Sequence, residues 1–175
     1  MSFDGGASRG EPGVSELLWT YSPLEPAKRV YLAPGQLFAS RDRVQVTTIL
    51  GSCVAVCLFD LEAQVGGVNH FLLPHGVPPS PRFAEYAVPQ LVDRVLALGA
   101  SSERLRAKLF GGACVLPAVS RVNSDLGEKN IELARRLLLQ QGIPVIAEDV
   151  GGNCGRKLIF DTVSGSVFVK RMDRF

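Results

Sequence analysis

Between Arg29 and Leu73 the chain alternates short apolar runs with turn-forming residues. The runs are RVYLA, QLFAS, RVQVTTIL, CVAVCLF and VGGVNHFLL, separated by Gly, Pro, Asp and Ser. Segments of this length, rich in Val, Ile, Leu, Thr and Phe, predict β-strands. Two of them are apolar at nearly every position, which predicts burial on both faces. Two later stretches switch to a helical period. Within residues 83–98, Phe83, Ala87, Leu91, Val95 and Leu98 recur at intervals of four and three. Pro89 in that stretch lacks an amide donor and crowds the preceding turn, so a kink or a nearby start is expected. From about Asp125 to Gln141, a stripe of Ile131, Ala134, Leu138 and Gln141 predicts a second helix. Ser124 is placed to cap it, and Gly142 and Pro144 to stop it. RAKLF, IPVIAED, RKLIFD and SVFVKR supply further strands, the last two flanking TVSG as a hairpin. Strands first, helices after them and a closing hairpin predict an α+β fold, not a regular βαβ alternation.

Composition narrows what such a domain can do. The 175 residues are 46% hydrophobic and 21% charged, with a net charge of +2 and no lysine or arginine block. A nucleic-acid or membrane-surface role has no electrostatic support in that pattern, and sparse aromatics weaken base stacking further. Residues 1–28 are polar and rich in Gly, Pro and Ser, with ELLWTY their only apolar anchorage. They read as a flexible N-terminal extension to a domain covering 29–175. The start lacks the apolar core of a signal peptide, and no apolar span reaches transmembrane length. The expected location is therefore the cytoplasm, without membrane insertion. Cys53, Cys57, Cys114 and Cys154 are scattered through a chain large enough to fold without staples, which fits a reducing compartment. Cys53, Cys57, His70 and His75 could be assembled on paper into a zinc site. Their strand-like apolar setting argues against it. The pairs Gly66-Gly67, Gly111-Gly112 and Gly151-Gly152 mark tight turns or close backbone approach, and none fits a nucleotide-binding loop.

Two positions carry candidate chemistry. Cys53 follows Gly51-Ser52, a backbone break that can expose amide N–H groups where an oxyanion needs stabilising. A thiol with an ordinary pKa is mostly protonated at neutral pH and needs a base to act as a nucleophile. His70 offers one. On a strand over 65–73 it shares a face with Val68 and Leu72, while Asn69 and Phe71 point the other way. Thr47 lies an even number of residues before Cys53, so on a continuous strand it would share the cysteine's face and orient the ring, with Thr48 facing away. His75, after Pro74, reads as a solvated loop residue. The residues alone leave the bland alternatives open: a small buried cysteine, a hydrogen-bonded core histidine and a strand-forming threonine.

The order of motifs adds a resemblance. TILGSCVAVCLFD and GGVNHFLLP, with RVYLAPGQLFAS, RFAEYAVPQLV, AKLFGGA, LGEKN and GIPVIAEDVGGNCGRKLIFDTVSGSVFVKR, resemble the CheD chemoreceptor glutamine deamidases from about residue 29 to the C-terminus. Lys129 departs from the arginine expected before Asn130, which keeps the charge but loses the planar fork. The resemblance implies a layered α+β sandwich with helices on one face, related to bacterial deamidase toxins. It implies Cys53 as nucleophile, His70 as base and acid and Thr47 as orienting residue; beside them Gly51-Ser52 is the candidate oxyanion loop, and this chemistry needs no metal or organic cofactor. The implied substrates are glutamine side chains on the cytoplasmic helices of chemoreceptors, in some members also receptor methyl esters, and the implied partner is a CheC-type phosphatase. Two rivals follow from the same residues: a largely non-catalytic regulator of that phosphatase or of the receptor, and a cysteine peptidase or general amidase.

Overall fold

The computed structural model describes residues 28–114 and 125–172. Within them the chain forms β1 (Lys28–Tyr31), β2 (Gln36–Ser40), β3 (Val44–Leu50), β4 (Val54–Asp60), β5 (Val65–His70), α1 (Ala84–Ala97), β6 (Arg106–Gly111), α2 (Leu126–Gln140), β7 (Val145–Val150), β8 (Gly155–Asp161) and β9 (Val167–Met172). The strands make two mixed sheets, one in the order β1-β3-β8-β9 and one in the order β2-β5-β4-β6-β7. Both helices pack on the five-stranded sheet, α1 over β2, β5 and β4, and α2 over β4, β6 and β7. The result is α+β in three layers, with the helices on one face, as expected.

Period-two alternation explains the layering. On β4 every side chain is buried, but the two parities go to different cores. Val54, Val56 and Leu58 pack with Leu91, Val95 and Leu138 under the helices. Ala55, Cys57 and Phe59 pack with Val46, Leu50, Leu158 and Phe160 between the sheets. Burying each large side chain contributes roughly 1.5–3 kcal/mol, so both sides of this central strand are held. β8 and β9 form the expected antiparallel hairpin.

The helices agree with their periodicity. α1 buries Ala84, Ala87, Val88, Leu91, Val92 and Val95 and carries Pro89 inside it. α2 ends at Gln140 with Gln141 as C-cap; Gly142 just beyond adopts φ +68, and the Ile143 amide closes back on the Leu138 carbonyl at 2.9 Å. Its N-cap position is Asp125. Ser124, the predicted cap, and residues 1–27 of the expected 1–28 extension lie outside the described residues, while Lys28 is already the first residue of β1, opposite Val44. Gln141, the last member of the predicted stripe, is exposed. No helix among the described residues is long and apolar enough to cross a membrane.

Candidate active site

Three segments from both sheets converge at the end of β5. β3 stops at Leu50 in the four-stranded sheet, and Gly51-Ser52-Cys53 turn the chain into β4 of the five-stranded one. Beside that turn, Val54 and Phe71 exchange both backbone hydrogen bonds, at 3.1 and 3.0 Å. The pairing continues the β4–β5 register, which sets Ala55 opposite His70. Cys53 and His70 are thereby diagonal neighbours on one face, and such pairs have Cβ atoms roughly 7 Å apart, within reach of side chains. Cys53 is half-buried against the core between the sheets. His70 is 1% exposed.

The ring's surroundings fix its tautomer. His70 Nδ1 lies 2.8 Å from Thr48 Oγ1, and that hydroxyl also lies 2.8 Å from the Leu32 carbonyl oxygen. A threonine hydroxyl has a single proton. Since the Leu32 carbonyl can only accept, the Thr48 proton goes there, and Nδ1–H of His70 donates to Thr48. Nε2 then carries a bare lone pair. It is buried and has no hydrogen-bond partner. An unpaired buried acceptor is costly, and such a group calls for an explanation.

This geometry corrects the expectation for Thr47. The hydroxyl on the ring belongs to Thr48, whose side chain is fully buried on the inner face of β3 with Val46 and Leu50. Thr47 shares the opposite, solvent-side parity with Gln45 and Ile49. Counting even offsets from Cys53 presumed one continuous strand. The chain instead changes sheets at Gly51–Cys53, so parity is not carried across the turn. His70 reaches out of one sheet and Thr48 out of the other, and they meet between them.

Charge follows from burial. Burial drives the His70 ring down to about 4, opposed by the Leu32 carbonyl. Burial also pushes the Cys53 thiol up from its usual value, opposed by its own backbone amide. Both shifts favour neutral species, so the resting pair at neutral pH is a thiol and an imidazole rather than an ion pair. A neutral pair of this kind can produce a nucleophile only by moving the proton as the sulfur reacts.

The turn itself is held by its carbonyls. The Gly51 carbonyl accepts from the Ala113 amide and the Cys53 carbonyl from the Gly112 amide, both at 2.8 Å. The Ser52 carbonyl accepts from Asn130 Nδ2 at 3.2 Å. Gly111 and Gly112 make the first two bonds possible with φ of +104 and +68, and a Cβ on Gly111 would meet the Cys53 carbonyl. Among the described residues the amides of Ser52 and Cys53 have no hydrogen-bond partner in another residue, the Cys53 amide facing only its own sulfur, so both can turn to an oxyanion.

Other candidates lie elsewhere. Cys57 is fully buried between the sheets, where burial drives its thiol far above the usual range. His75 is on the surface, its Nδ1 2.9 Å from Glu85 Oε2. Two hollows flank α2. One, of about 320 Å³, is lined by Pro74, His75, Lys129, Glu132, Leu133 and Arg136. The other, of about 360 Å³, includes Gly112, Cys114, Ile131, Arg135 and Gly152. Asn130 was not among the predicted site residues. Its signal was its place on the buried stripe of α2, one turn before Ala134, where a polar side chain must find partners.

A family model described as CheD chemotactic sensory transduction matches residues 73–171. The chain is 49% identical over 146 residues to a protein of Anaeromyxobacter dehalogenans named "Probable chemoreceptor glutamine deamidase CheD 1", covering 82% of this chain and 85% of that one. It is 43% identical over 150 residues to a "Probable chemoreceptor glutamine deamidase CheD" of Trichlorobacter lovleyi, covering 83% and 92%. A Vibrio cholerae serotype O1 protein of the same name is 41% identical over 163 residues, covering 86% and 68%. The family-model match begins after Cys53 and His70. The first relative's alignment leaves 18% of the 175 residues outside, about 32, fewer than precede Cys53, so it spans both.

Proposed function

Because the chain belongs to the CheD family of chemotactic sensory transduction proteins, we propose that it is a chemoreceptor glutamine deamidase, with Cys53 as nucleophile, His70 as base and acid, and Thr48 as the residue that orients the ring. The observation that carries this is the bare, buried Nε2 of His70, on the same face as Cys53 and diagonal to it across the Val54–Phe71 pair.

As the Cys53 sulfur attacks a glutamine Cδ, its proton passes to Nε2. The carbonyl oxygen takes up negative charge where the Ser52 and Cys53 amides can bind it, an arrangement in which one donor is typically worth a hundredfold or more in rate. Collapse of the tetrahedral intermediate breaks the C–N bond, and the Nε2 proton leaves with the amine as ammonia. A thioester remains. Nε2 next takes a proton from water as that water attacks the thioester, then returns the proton to sulfur, and glutamate is released. Thr48 holds Nδ1–H throughout, which keeps Nε2 as the end that accepts. A receptor methyl ester would follow the same path with methanol as the leaving group. The substrate surface is a helix of a receptor's cytoplasmic domain, and a CheC-type phosphatase is the regulatory partner that the family resemblance suggests.

The test is mass spectrometry of receptor signalling domains incubated with the protein. Glutamine-to-glutamate conversion should occur with the wild type and vanish in Cys53→Ala and His70→Ala. Backbone cleavage would instead indicate a peptidase. Unchanged receptors, with a partner phosphatase still regulated by Cys53→Ala, would leave a binding regulator.

A further inference from the structure

Asn130 sits on α2, in neither segment that bears the thiol or the ring, yet it touches both. Its side chain is fully buried. Nδ2 donates to the Ser52 carbonyl at 3.2 Å and to the Leu72 carbonyl at 2.8 Å. The first of these residues precedes Cys53, and the second follows His70 by two. Both amide protons are used on carbonyls, so the amide cannot be turned over: a flip would set Oδ1 against two acceptors. Oδ1 itself is buried without a partner. Retaining an unpaired acceptor there is unfavourable, and the two donated bonds must offset it.

A planar trans peptide explains what those bonds accomplish. The C=O of one residue and the N–H of the next point to opposite sides of their shared plane. Holding the Ser52 carbonyl toward α2 therefore turns the Cys53 N–H away from α2. The Ala113 bond to the Gly51 carbonyl does the same for the Ser52 N–H. These are the two amides without a partner in another residue. Among the described residues Asn130 is thus the one side chain that holds a carbonyl of the 51–53 turn, and it ties the same peptide to the segment that follows His70.

We propose that Asn130 is a positioning residue for the oxyanion site: it fixes the Ser52–Cys53 peptide plane so that the Cys53 amide faces the reacting centre, and it locks that plane to the segment that follows His70. This rests on the deamidase reading for its effect on turnover, but not for its effect on the thiol. The Cys53 amide also faces its own sulfur and favours the thiolate, so loosening the plane should raise the pH at which the thiol reacts.

The experiment compares Asn130→Ala with Leu138→Ala, a fully buried residue further along the same helix. Folding is checked by circular dichroism, and each variant is assayed below its melting temperature. Two quantities are read: kcat and KM for receptor deamidation, and the pH dependence of Cys53 alkylation by iodoacetamide. Asn130→Ala should lower kcat on the order of a hundredfold, the scale of one oxyanion donor, with KM within about threefold. Its alkylation curve should move to higher pH. Leu138→Ala should melt earlier and change neither quantity. Asn130→Gln keeps the donors but displaces them by a methylene, and should fall between wild type and Asn130→Ala on both. If Asn130→Ala does not fold, Asn130→Gln decides alone. Unchanged kcat and alkylation in a folded Asn130 variant overturns the proposal, and so does an equal shift in Leu138→Ala. If wild type has no deamidase activity, the functional reading fails while the alkylation curves still decide the role of Asn130.

Discussion

Thr47 and Thr48 are adjacent and chemically identical, and the fold gives them opposite surroundings. Replacing Thr48 with valine removes the acceptor for His70 Nδ1–H and the donor to the Leu32 carbonyl. Each buried group left unpaired costs about 1–3 kcal/mol. Thr48→Val should therefore lower the melting temperature and reduce kcat on the order of a hundredfold, as the ring loses its fixed tautomer. Thr47→Val should stay within about twofold of wild type, because that side chain is on the outer parity of β3. The same assay on both variants checks this, and equal losses would refute the assignment. A second residue-scale expectation concerns protonation. With the Cys53 thiol raised and the His70 ring held at about 4, no thiolate–imidazolium pair forms near neutrality. The rate of Cys53 alkylation should climb steadily through alkaline pH without a plateau near pH 6–7. A plateau there would mean a preformed ion pair.

At the scale of elements, the end of β6 matters as much as the turn it supports. Gly111 is at φ +104, and its missing side chain leaves room for the Cys53 carbonyl. Gly111→Ala puts an L-residue in a region costing about 1–3 kcal/mol and drives a methyl into the turn that carries Cys53. It should lower both the melting temperature and kcat, whereas Gly142→Ala, where φ is also positive but the space is open, should affect melting alone. Most elements were legible in the sequence for local reasons. The apolar runs marked every strand among the described residues: β3 shows its buried face in period two and β4 and β5 are buried throughout, while β1, β7 and β9 were marked by their β-branched and aromatic residues despite little burial. α2 declared itself by its stripe and its glycine stop. Cys53 and His70 were legible as an opening and a polar ring among aliphatics. Thr48 was not, because the sheet change at Gly51–Cys53 breaks the parity count and nothing local reports it. Asn130 was missed because its partners are 58 and 78 positions away. Its place on the α2 stripe, one turn before Ala134, signals burial but not which carbonyls it meets.

At the scale of the whole molecule, the buried ring of His70 makes folding sensitive to acid. His70 is held neutral by desolvation between two sheets, and no charged group contributes to its shift. Its folded value, about 4, is below an unfolded value near 6.5. Between those values the unfolded chain binds the extra proton, so stability rises with pH there and falls on acidification. The contribution is complete above about pH 6.5 and is lost as pH drops toward 4, amounting to about 3 kcal/mol across the window. Asp60 behaves similarly at lower pH. Burial alone would raise it, but the Arg104 guanidinium and the Ser101 and Ala63 amides outweigh that and hold it at about 2, so its loss begins only near the ordinary carboxylate range. The two windows are separate enough to distinguish. Urea unfolding of wild type and His70→Gln at intervals from pH 7.5 to 4.5 should show the wild type losing stability on acidification and the variant losing clearly less. Parallel curves would mean that the ring is solvated in the folded protein. A proton acceptor kept bare and buried at neutral pH would then have no physical basis.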